Sequence, residues 1–258
     1  MKNYILECCV DSVESAIAAK SGGANRLELC SGLIIGGLSP SRALFETIRE
    51  NVDICTHVLL RPRFGDFCYT EHEHEIIKKE VKMFRELGAD GIVIGTLRPD
   101  GSLNIDQMKE LIEEAGDMSI TLHRAFDMCK DPFETLKQAK ELGIHTILTS
   151  GQKNQCIDGT DLLAELVRKA DGQIDILIGG GVDGTVIEEL YQKTGSQTYH
   201  MSGKVTLNSE MEYRKADVNM GIAIKKGNTE LKEKINMSII FITHDLGVIS
   251  EICDKVAV

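Results

Sequence analysis

Eight short β-prone runs punctuate the chain, each followed by a stretch long enough for an amphipathic helix. They are YILECCV from Tyr4, NRLELC from Asn25, ICTHVLLR from Ile54, DGIVIG from Asp90, MSITLHR from Met118, HTILTS from His145, QIDILIG from Gln173 and QTYHMS from Gln197. Successive starts lie 21 to 36 residues apart, the length of one βα unit. Strands alternating with helices imply parallel strands joined by right-handed crossovers. Eight such units close into a (β/α)8 TIM barrel, and the 258 residues suit a fold of about 250. An open doubly wound sheet would carry a phosphate-binding glycine turn after its first strand, and none stands there. The expected architecture is a single α/β domain over 1–219 with an atypical tail, 220–258.

Helix punctuation agrees with this reading. Asp11-Ser12 caps VESAIAAK, Ser39-Pro40 opens the second helix, and Asp131-Pro132 opens the fifth with proline at its first position. Gly88, Gly116, Gly143 and Gly172 stand where helices stop. The formal charge of −11, with no Lys/Arg run to offset it, argues against nucleic acid or an anionic membrane as partner. No run approaches the roughly 18 apolar residues that span a bilayer, so the expected location is cytoplasmic. Eight cysteines lack framework spacing, which makes disulfides their least expected use.

Alternation along each strand separates packing from chemistry. Leu6, Cys8 and Val10 form a helix-facing set, which turns Glu7, Cys9 and Asp11 inward; Leu27 and Leu29 likewise turn Arg26, Glu28 and Cys30 inward. Glu-x-Cys thus occurs twice on neighbouring strands, and Glu7/Glu28 and Cys9/Cys30 are expected as close pairs. Arg61, His123 and His200 end other strands on the inner side, at the end where barrels carry function. Two soft thiols suit Cu(I); read from the residues alone, the commoner use of such cysteines is as buried apolar residues. His123, Arg124 and Asp127 form a second constellation, able to move a proton and hold an anion, or else part of an internal salt-bridge network. Gly179, Gly180 and Gly181, with Ser150 and Ser202, offer backbone and hydroxyl donors for an anion, or simple tight turns. His72-Glu73-His74-Glu75 reads as a solvated start to the third helix.

These residues lie in blocks that resemble the CutC family of copper homeostasis proteins. The resemblance runs in order through ECCVDSVESA (Glu7–Ala16), GGANRLELCSGL (Gly22–Leu33), GGLSPS (Gly36–Ser41), LRPRFGDFCY (Leu60–Tyr69), GADGIVIG (Gly88–Gly95), HRAFDM (His123–Met128), ILTSGQ (Ile147–Gln152), IGGGV (Ile178–Val182) and YHMS (Tyr199–Ser202). It implies a TIM barrel, a copper ligand role for Cys9 and Cys30, and a homo-oligomer. Phe64 and Cys8 depart from the usual pattern. The tail also departs: residues 221–236 resemble the end of amino-acid solute-binding proteins. Residues 237–258 resemble the switch-histidine region of ABC transporter ATPases, with His244 in the matching place. No Gly-x-x-x-x-Gly-Lys-Ser/Thr loop exists, so no nucleotide cofactor is expected.

Two functions follow. One is a cytoplasmic copper homeostasis protein binding Cu(I) through Cys9 and Cys30. The other is an enzyme doing acid–base chemistry on a small anionic or phosphorylated metabolite with Glu7, Glu28, Arg61, His123, Arg124, Asp127 and His200.

Overall fold

A computed structural model describes residues 4–204 and 210–213; the expectations for the tail, including His244, lie outside the described residues. The strands are β1 (Ile5–Val10), β2 (Arg26–Leu29), β3 (Cys55–Leu59), β4 (Gly91–Ile94), β5 (Ser119–Leu122), β6 (Thr146–Thr149), β7 (Asp175–Ile178) and β8 (Thr198–Met201). Each pairs in parallel with the next, and β8 returns to β1, so the sheet is a closed barrel. Between them run α1 (Val13–Ser21), α2 (Arg42–Asn51), α3 (Glu71–Glu86), α4 (Ile105–Ala115), α5 (Pro132–Glu141), α6 (Thr160–Ala170) and α7 (Ile187–Thr194). The TIM barrel expected from the strand–helix period is the fold observed.

Local chemistry explains the boundaries. Ser12 caps α1 by accepting from the Ser15 N–H, and Asp131 caps α5 with Pro132 as its first residue. Thr70 and Glu73 form a reciprocal capping box that starts α3. The second helix starts later than Ser39-Pro40 suggested: Ser41 is its cap, accepting from the Leu44 N–H. Ser39 is engaged elsewhere, its hydroxyl accepting from the Arg61 N–H at 2.9 Å and donating to Glu80 at 2.7 Å.

The main core lies between sheet and helices. Leu6, Cys8, Val10, Leu27 and Leu29 belong to it, together with Phe45, Ile48 and Phe84 from α2 and α3. The alternate residues of the same strands fill the barrel interior, and they are polar: Glu7, Arg26, Glu28, His57, Thr121 and His123 are all buried. Closure requires the strands to tilt and their register to stagger. In consequence Glu7 stands opposite Arg26 on one side and His200 on the other, and Cys9 stands opposite Glu28. The close pairs Glu7/Glu28 and Cys9/Cys30 expected from alternation are therefore offset by two residues. Among the described residues no helix is long and apolar enough to cross a membrane.

Candidate functional site

At the base of the barrel mouth a chain of charges links three strands. Arg26 Nε donates to Glu7 Oε2 at 2.5 Å, and His200 Nδ1 lies 2.7 Å from Glu7 Oε1. The Glu7 side chain is wholly buried. Burial opposes its charge, but Arg26 and His200 outweigh that and pull its pKa down to about 2. The other ring nitrogen of His200, Nε2, lies 3.8 Å from Glu28 Oε2. Burial pushes the Glu28 carboxyl up to about 7, with the nearby charge of Glu7 adding to the rise and His200 opposing it. Burial likewise opposes the imidazolium of His200, yet Glu28 and the bonds to Cys9 and Glu7 hold its pKa well above the ordinary value. Glu28 and His200 thus face each other as a carboxyl raised to about 7 and an imidazole held well above its ordinary value.

Above this chain lies Cys9. Its Sγ, a Glu28 carboxylate oxygen and a His200 ring nitrogen all fall within 4.8 Å of one another, close enough to share one metal ion. Cys30 is not in that cluster. It is fully buried, packed with Leu59 and Val93 and covered by Leu33, and its Sγ lies 3.5 Å from the Val10 carbonyl oxygen. Burial and the surrounding acids push its thiol well above the usual range, so it stays protonated and packs as a small apolar residue. The seven described cysteines are all free thiols.

The opposite wall is built from the ends of β3 and β5. Arg61 is 8% exposed. Its Nη1 donates to the Gly36 and Gly37 carbonyls and its Nη2 to Gly65, so the fork is used in pinning two loops. His123 Nδ1 accepts from the Ala125 N–H at 3.1 Å, which places the proton of the neutral ring on Nε2. Burial, and then the charge of Arg61, depress its pKa to about 3. The ring fits only because residue 95 is glycine: a Cβ there would lie 2.7 Å from His123 Cε1. Phe67 touches both groups, its ring 4.7 Å from the His123 ring and 4.9 Å from Arg61 Cζ.

Asp127 does different work from that expected. Its carboxylate accepts from Thr149 Oγ1, from the N–H groups of Ser150 and Gln152, and from Arg124 Nε. An internal carboxylate therefore fills the donor cradle after β6, and Asp127 is not paired with His123. Ser150 is consumed by Asp127, Arg124 and the Lys153 carbonyl. Gly179 donates to the Thr149 carbonyl, and the Gly180 carbonyl accepts from Cys156. Gly180 has φ +92°, and a Cβ there would lie 2.9 Å from Ser150 Cβ. A Cβ on Gly181, whose φ is +81°, would overlap the Gln155 side chain outright. Close packing between loops accounts for the glycine run.

These walls enclose a cavity of about 210 Å³. Cys9, Glu28, Arg61, His123, Arg124, His200 and Ser202 line it with Leu33, Leu59, Phe67 and Leu148. Seven of the sequence-derived candidates thus meet. Glu7 supports His200 from beneath, and Cys30, Asp127, Ser150 and Gly179–Gly181 do not line the cavity. Phe67, which packs against both Arg61 and His123, was missed, because it comes from a loop with no periodicity to place it.

The family model for the CutC family matches residues 4–205. A CutC family protein of Bacteroides fragilis strain YCH46 is 45% identical over 222 residues, covering 86% of this chain and 88% of that protein. The human copper homeostasis protein cutC homolog is 37% identical over 229 residues, covering 89% and 84%. A crystal structure of CutC from Streptococcus agalactiae superposes with a TM-score of 0.73 at 26% identity, covering 77% of this chain and 98% of that one. With the barrel, the ordered sequence blocks and these matches in agreement, the chain belongs to the CutC family.

Proposed function

We propose that the barrel mouth takes up copper as Cu(I) on Cys9 Sγ and His200 Nε2, with Glu28 as a third donor. The carrying observation is the cluster of these three donor atoms within 4.8 Å. The donor set fits the ion: a soft thiolate selects Cu(I), and imidazole is a good copper ligand. Glu7 holds the remote nitrogen of His200, the carboxylate–histidine arrangement that orients metal-ligating rings. Uptake displaces a proton from the imidazole, whose pKa is held above its ordinary value. Mouse and human relatives are named copper homeostasis proteins, which supports a part in copper tolerance or trafficking in a reducing cytoplasm, where the thiols stay free.

An anaerobic Cu(I) competition titration of the full chain tests this. One-to-one binding is expected, lost in Cys9→Ser, strongly weakened in His200→Asn and retained in Cys30→Ser. Binding that persists in Cys9→Ser, or disappears in Cys30→Ser, would overturn the assignment.

A second reading is favoured by Glu28, a cavity-lining carboxyl raised to about 7 beside His200, which suits general acid–base catalysis near neutral pH. In it the cavity acts on a small anionic metabolite, and metal-free protein turns over a member of a phosphorylated-metabolite panel, with loss of turnover in Glu28→Gln.

A further inference from the structure

Arg61 carries a full charge into the interior without a carboxylate partner. Among the described residues no acid lies within ion-pair distance of it, in contrast to Arg26, Arg49, Arg63, Arg85 and Arg124. Its loop partners are neutral carbonyls, and its Nε is buried with no partner. A buried charge is costly unless an opposite charge answers it.

His123 shows the same deficit independently. The Ala125 N–H occupies Nδ1, so Nε2 carries a hydrogen, and that Nε2 is also buried and unpartnered. A buried donor left unmade is among the more expensive features a folded protein carries, and functional sites are where such donors persist. Both side chains line the same cavity, and the Phe67 ring packs against both. The facing wall carries Glu28, so an anion entering this cavity is repelled from β1 and β2 and drawn towards β3 and β5.

We infer that the cavity binds a small molecule by an oxyanion group, carboxylate or phosphate, seated against Arg61 and His123. The guanidinium supplies charge and the neutral imidazole a directional N–H. The remainder of the ligand then faces Cys9, Glu28 and His200. Arg124 at the rim is largely neutralised by Asp127 and sets no comparable demand. The inference does not depend on copper: the two sites lie on opposite walls and share no residue.

The test uses the full, metal-free chain with its histidines labelled by nitrogen-15. Inorganic phosphate and acetate are titrated separately while the His123 Nε2–H resonance is followed, with sodium chloride at matched ionic strength as reference. A saturable one-to-one shift with phosphate, acetate or both is expected, and the preferred probe identifies the group. Chloride leaves the resonance in place. Arg61→Gln weakens binding by about tenfold or more, as expected for a charge-assisted hydrogen bond. Because Arg61 also ties down loops, His123→Gln is titrated in parallel by calorimetry and shows the same loss at an unchanged melting temperature. No saturable shift with either probe, a shift that chloride reproduces, or full affinity in His123→Gln would overturn the inference. No metal is present, so this outcome is independent of the copper titration.

Discussion

The two walls of the cavity balance their charges differently. On the β1–β2–β8 wall each charge has an opposite number within reach: Arg26 with Glu7, Glu7 with His200, His200 with Glu28. On the β3–β5 wall Arg61 has carbonyls and an aromatic face but, among the described residues, no carboxylate, and His123 points an unmade donor. A matched network orients its members, which is what a metal ligand or proton carrier needs. An unmatched cation and donor are completed by something from outside. One barrel mouth therefore combines a preorganised donor cluster with an electrostatic demand for an anion.

The comparison can be broken first at Glu7. Glu7→Ala strands the buried Arg26 guanidinium and leaves the buried imidazolium of His200 with Glu28 alone, and breaking a buried pair in this way costs about 3–5 kcal/mol. Chemical denaturation should show a loss of that size; a loss near zero would mean the network is not matched as described. Arg61→Met removes a cation that no acid answers, so its bonds to loop carbonyls and its contact with the Phe67 ring are forfeited without a stranded partner charge, at about 1–2 kcal/mol. Equal costs for the two variants would erase the contrast between the walls.

Acid separates the walls further. Burial depresses His57 to about 4 and His123 to about 3 from an ordinary value of 6.5. The unfolded chain then binds these protons more readily than the folded one, so stability falls as pH drops. Their contribution is complete above about pH 6.5 and is lost progressively as pH falls through about 4 and then about 3. Denaturation midpoints measured across that range should decline, and His123→Gln should flatten the lower part of the decline. A midpoint constant from pH 6.5 to 3 would contradict the neutral, buried state of both rings.

Much of the barrel was legible because period and parity are local properties. The spacing of eight runs specified the closed sheet, and alternation within YILECCV and NRLELC correctly turned Glu7, Cys9 and Glu28 away from the helices. Register is not local. The stagger needed for closure moves Cys30 two residues beyond the position opposite Cys9, and nothing in either strand encodes it. Asp127 was misplaced for a related reason: its chemistry suited a proton carrier, but its partners come from the loop after β6, 22 to 25 residues away. The glycine run at 179–181 looked like an anion cradle because tight turns and close-packed loops demand the same residue.

The smallest effect concerns the cysteine left out of the cluster. Cys30→Ala removes one buried sulfur from contact with Leu59 and Val93, and should cost about 1 kcal/mol on the scale of a buried methylene. Its copper stoichiometry should be unchanged.

The most direct measurement is copper-edge X-ray absorption on the Cu(I)-loaded chain. A first shell holding one sulfur together with nitrogen or oxygen is predicted, with imidazole scattering that vanishes in His200→Asn. A shell of two sulfurs without imidazole would place copper between Cys9 and Cys30, and would contradict the assignment of the ion to the Cys9–Glu28–His200 wall.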